Sequence, residues 1–139
     1  MPAIRPVSSG SGNALRRNAL YANGSSQNGP GIVVGSGANH NPVAPTIVSA
    51  TYVGTLLTVT CTITQPIANV NYVVEFFASP AGDAEGKVFL GQETANSTAG
   101  KHTFLFKLVT MVPMTNPVIT ATLTDPSGDT TAFSNGVTS

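Results

Sequence analysis

The sequence predicts an all-β sandwich of about seven short strands, and three observations carry that prediction. Over residues 57–64, Leu57, Val59, Cys61 and Ile63 alternate with Thr58, Thr60, Thr62 and Thr64. Successive side chains of a strand point to opposite faces, so this is a half-buried strand with an apolar face and a hydroxyl face. Turn clusters of Gly, Pro and Asp punctuate the chain at short intervals, and no segment keeps the apolar period of a packed helix for long enough to form one.

Taken in order, the strand candidates are residues 46–52, 57–64, 71–78, 87–94, 104–108, 119–124 and a closing piece at 131–134. Phe104, Phe106 and Leu108 alternate with Leu105 and Lys107, while Ile119, Ala121 and Leu123 alternate with Thr120, Thr122 and Thr124. Between the candidates lie turns at 52–55, 79–83, 98–101 and 125–129, in which Pro fixes φ and Gly relieves strain. Seven short strands at this spacing suit an immunoglobulin-like sandwich better than a barrel. Glu75 interrupts the apolar run Val73, Val74, Phe76, Phe77. Its carboxylate is expected on the solvent face, the alternative being burial beside a partner such as Lys107.

At 139 residues the chain has the length of one domain. Only 9% of residues are charged, against roughly 25% in ordinary soluble domains, and six basic residues balance six acidic ones. Nothing here would steer nucleic acid or an anionic surface, and no apolar run reaches the roughly 20 residues of a membrane helix. Neither a nucleic-acid partner nor membrane insertion is expected. Residues 1–12 lack the apolar core of a secretion signal.

Composition changes near residue 45, which divides the chain into an arm, 1–45, and a sandwich, 46–139. The arm is rich in Gly, Ser and Asn, a composition that buries little and orders only against another surface. Its apolar residues Ile4, Val7, Leu15, Leu20, Tyr21, Ile32, Val33 and Val34 are therefore the candidate assembly contacts, against the sandwich or against a second copy. A homo-oligomer or larger assembly through this arm is expected.

Two blocks carry a family resemblance. The stretch Asn71-Tyr-Val-Val-Glu-Phe-Phe-Ala-Ser-Pro-Ala-Gly-Asp with Glu85-Gly-Lys-Val-Phe-Leu-Gly, and then Ala121-Thr-Leu-Thr-Asp-Pro-Ser-Gly-Asp-Thr-Thr-Ala-Phe-Ser, resembles a bacterial Ig-like module of large secreted or cell-surface proteins. Such modules often follow a right-handed parallel β-helix, and Gly12-Asn-Ala-Leu-Arg-Arg-Asn-Ala-Leu-Tyr-Ala-Asn-Gly with Gly31-Ile-Val-Val looks like the last coil of one. The resemblance covers about residues 12–135. It implies an extracellular structural role and brings no catalytic residues with it.

Chemistry-bearing residues are few. Asp83, Glu85, Asp125 and Asp129 lie in turns and could offer oxygen ligands to calcium, although they form no dense alternating acid loop; no cofactor is otherwise expected. Cys61 reads as a buried thiol, and His40 and His102 lack the neighbours of a triad or a zinc site, so no enzyme is expected. Rows of threonine could meet ice or a polysaccharide, yet the chain has no Trp and three Tyr to stack on sugars. Asn23 and Asn96 begin N-glycosylation patterns. The expected function is an extracellular structural or adhesive module that self-assembles into a fibre or surface lattice through its N-terminal arm and strand edges, with a virion decoration protein and a carbohydrate- or surface-binding adhesin as alternatives.

Overall fold

The computed structural model describes residues 12, 14–18, 32, 43–83 and 85–139. Its strands are β1 (Thr46–Val53), β2 (Leu56–Gln65), β3 (Tyr72–Ser79), β4 (Val88–Ala95), β5 (Gly100–Val109), β6 (Val118–Thr124) and β7 (Val137–Thr138). They form a three-stranded sheet, β1-β2-β5, and a four-stranded sheet, β4-β3-β6-β7, with all pairs antiparallel. The all-β sandwich read from the sequence is present, and there is no helix among the described residues. In constant-type immunoglobulin domains the fourth strand joins the first sheet. Here β4 pairs with β3 from Tyr72↔Ala95 to Ala78↔Val88.

Local chemistry explains the connections. Val53 faces Leu56 across a two-residue turn, and Gly54 has φ 65. A hairpin turn with positive φ at its first central position requires glycine there. Gln65 is fully buried, and its Nε2 donates to the carbonyls of Ile67, Val70 and Ser97 at 2.9, 3.1 and 3.2 Å. One carboxamide thus ties the β2–β3 connection to the β4–β5 connection.

The core lies between the sheets. Leu57, Val59, Cys61 and Ile63 of β2 face Val74, Phe76 and Ala78 of β3 and Ile119, Ala121 and Leu123 of β6. The rings of Phe76 and Phe106 meet with centroids 5.5 Å apart. Each large side chain buried here stabilises the fold by roughly 1.5–3 kcal/mol.

Two findings depart from the sequence reading. Residues 131–134 run beside β6 without forming a strand. Thr131 and Ser134 donate their N–H groups to Leu123 O and Ala121 O at 2.9 and 2.8 Å. The returning bonds go to side chains, from Ala121 N to Ser134 Oγ at 2.9 Å and from Leu123 N to Thr131 Oγ1 at 3.1 Å. Hydroxyls have replaced carbonyls in the ladder, and the seventh strand forms later, at Val137–Thr138. Secondly, β3 and β6 are buried on both faces: all seven residues of β6 are buried, as are seven of the eight in β3.

Candidate functional site

The two outer faces of the sandwich have opposite fates. On the four-stranded sheet, β3 projects Glu75, Phe77 and Ser79, and β6 projects Thr120, Thr122 and Thr124; all six are buried. Phe77 meets Phe89 and Phe133 edge-on at 5.7 and 5.3 Å, and Thr120 Oγ1 donates to Glu85 O. Gly12, Leu15, Arg16 and Arg17 lie along the same face. Gly12 N donates to Asp129 Oδ1 and Leu15 N to Thr130 Oγ1 at 2.9 Å.

Glu75 sits where that segment crosses the sheet. It is 0% exposed, which corrects the expectation of a solvent-facing carboxylate. Its partner is Arg16 rather than Lys107, which is exposed on the other sheet. Arg16 Nε donates to Oε1 at 2.7 Å and Arg17 N to Oε2 at 3.0 Å. Register places Gln92 opposite Glu75, and Gln92 Oε1 accepts from Arg16 Nη2 and Arg17 Nη2 at 2.7 and 3.2 Å. The Arg17 guanidinium also lies 5.4 Å from the Phe89 ring centre, a cation–π distance. Alternation along β3 correctly directs Glu75 outward. The sequence signal for what covers it was the pair of adjacent arginines in a leader otherwise almost free of charge.

The three-stranded sheet leaves its outer face open. Thr58, Thr60, Thr62 and Thr64 form the central row on β2. Thr46, Ser49 and Thr51 flank it on β1, and Lys101, Thr103, Leu105 and Lys107 on β5. At one end lie Val53, Leu56, Val109 and Met111, exposed by 70, 41, 83 and 77%. Two threonine rows that look alike in sequence therefore differ: the β2 row reaches solvent and the β6 row is sealed.

The remaining candidates take structural places. Asp125 Oδ1 accepts from Ser127 N and Asp129 N, both at 2.9 Å, and Asp83 Oδ1 from Glu85 N at 3.1 Å. Glu85 and Asp129 are buried. Among the described residues no three His, Cys, Asp or Glu side chains gather as a cation would require. His102 Nε2 lies 3.0 Å from Thr98 Oγ1, and Asn96 Nδ2 donates to Asn71 Oδ1 at 2.8 Å. Of the arm's apolar residues, Leu15 is half-buried and Ile32 is 2% exposed within this one chain. Ile4, Val7, Leu20, Tyr21, Val33 and Val34 lie outside the described residues, as do His40 and Asn23.

Cys61 is buried, and burial, which disfavours the thiolate, pushes its thiol up from 9.0 to about 12. The unfolded chain therefore loses this proton near pH 9 while the folded chain keeps it, so stability falls as pH rises above about 9. Denaturant midpoints measured from pH 8 upward are expected to fall more steeply for the natural chain than for Cys61→Ala. Parallel slopes would show that the thiol is not held protonated by the fold.

The chain matches no family model and no curated protein. What it does must be argued from its surfaces.

Proposed function

We propose that this chain is a non-enzymatic structural and adhesive Ig-like module that works outside the cell or at a surface and associates with copies of itself through strand edges. The observation that supports this most directly is the asymmetry of the two sheets. One outer face is covered by the chain's own Gly12, Leu15, Arg16, Arg17 and residues 129–134, whereas the other presents hydroxyl rows, two lysines and exposed apolar residues. A domain that seals one face with itself gains a stiff back and keeps one side for partners. The likeness of the 71–91 and 121–134 blocks to bacterial surface modules supports the location.

Sedimentation velocity of the intact chain over a wide concentration range tests the association. A reversible rise in mass with concentration is expected. A monomer throughout would defeat the reading.

A ligand-binding adhesin is the second reading, favoured by the docking of Leu15, Arg16 and Arg17 on their own domain, away from the β2 threonine row. A monomer retained on an insoluble polysaccharide, and released by Thr60→Lys, would select it.

A further inference from the structure

We infer that β5 is a pairing edge for a second copy of this chain, joined antiparallel with Leu105 at the two-fold axis. The inference rests on the self-associating reading above and assigns its surface.

Four strands end the two sheets, and three of them are obstructed. In β1 the register steps from Ile47↔Cys61 to Ser49↔Thr60, leaving Val48 as an extra residue. Beside it, the carboxamide of Asn135 occupies the backbone of Ile47, accepting from its N–H at 2.8 Å and donating to its carbonyl at 2.9 Å. A side chain thus fills the place of a neighbouring strand. In β4 the step from Phe76↔Gly91 to Phe77↔Phe89 makes a bulge at Leu90. β7 is two residues long. Bulges, covering groups, brevity and edge lysines are the usual means of closing a sheet edge to pairing. Among the described residues β5 has no bulge and no covering group, and its one such device is the pair Lys101 and Lys107. Its ten residues keep unbroken register with β2 from Gly100↔Gln65 to Val109↔Leu56, and among the described strands none pairs with its other side.

Side chains argue for a copy of the same strand. The outward row of β5 is Lys101, Thr103, Leu105, Lys107 and Val109, all exposed. Antiparallel pairing about Leu105 sets Leu105 against Leu105, Thr103 against Lys107 and Val109 against Lys101. Leu105, now 60% exposed, would bury against itself, and Val109 would lie under the aliphatic stem of Lys101. Pairing about Phe104 would instead set Lys101 directly against Lys107, which is unfavourable. The lysines therefore count against the Phe104 register, and the burial of Leu105 against itself favours the one centred on Leu105. The contact is isologous and closes at two copies, giving a continuous sheet β1-β2-β5-β5-β2-β1.

Cysteine cross-linking reads the register directly, because the only natural thiol, Cys61, is buried. Under mild oxidation Leu105→Cys is expected to form a disulfide-linked dimer readily. Thr103→Cys and Lys107→Cys should each do so at least about tenfold more slowly, since neither residue faces its own copy and a bridge spans less than about 7 Å between Cα atoms. Leu105→Lys places two ammonium groups at the axis and is expected to give a monomer with an unchanged circular dichroism spectrum. Association that survives Leu105→Lys, or equal cross-linking at all three sites, would overturn the β5 contact and leave the self-associating reading standing. An intact chain that is monomeric at every concentration would remove both, and would mark the two lysines as guards against edge pairing.

Discussion

Arg16→Ala is expected to lower the unfolding free energy by about 3 kcal/mol, far more than truncation of a leader arginine ordinarily would. The reason is the carboxylate left behind. Glu75 is 0% exposed, and without the guanidinium its carboxylate keeps the hydrogen bond from Arg17 N. Removing one member of a buried ion pair costs roughly 3–5 kcal/mol. Arg16 is itself 36% exposed, so water already screens part of the pair and the lower end of that range applies. Glu75→Gln keeps an acceptor for Arg17 N and should cost less. Arg16→Met combined with Glu75→Leu should recover most of the loss, because a packed apolar pair replaces a buried ionic one at little net cost. Urea midpoints at constant slope measure all four proteins. If Arg16→Ala unfolds with the natural midpoint, the leader is not clasped by Glu75 at all.

The same residues show which parts of this fold can be read from sequence. Strand β2 was legible because its two faces have different chemistry: a buried row of Leu57, Val59, Cys61 and Ile63 and a half-buried row of threonines. Strand β3 carried a different signal, a nearly continuous apolar run, which is how a strand covered on both sides reads. Taken as such, Phe77 would have announced a second covered face and Glu75 a buried partner. Strand β6 concealed the same fact, since Thr120, Thr122 and Thr124 resemble the solvent row of β2. They are buried beneath residues that hydrogen-bond to them or seal them, including Glu85 and Thr130. The cover comes from short segments around Arg16, Gly86 and Phe133 that have no period of their own. Pairing of 131–134 through hydroxyls in place of carbonyls leaves no alternation to detect. The open edge at β5 depends on register and bulges in other strands, which only the assembled sheets define.

Phe77→Ala is expected to destabilise the protein about as much as Phe76→Ala, by roughly 3–5 kcal/mol. On a one-sided sheet only Phe76 would matter, and an exposed Phe77 could be truncated within about 0.5 kcal/mol. Here Phe77 is 1% exposed and sits between the edges of Phe89 and Phe133. Gly86 closes the cluster from above: a Cβ there would stand 2.8 Å from Phe133 Cε1 and 2.9 Å from Phe77 Cδ1, so the rings pack against bare backbone. Truncating Phe77 opens a cavity in that outer layer and loosens Phe89, over which Arg17 lies. Its effect should therefore depend on whether the leader is still clasped. In a double-mutant cycle, Phe77→Ala with Arg16→Ala is expected to fall short of the sum of the single losses by more than about 0.5 kcal/mol, because both changes disrupt one cover. Phe76→Ala acts on the core between the sheets, where Phe76 meets Phe106, and with Arg16→Ala should be additive within about 0.5 kcal/mol. Additivity in both cycles would mean that the Arg16–Arg17 clasp and the Phe77 cluster stabilise the sheet independently, and that its outer face is not a single packed layer.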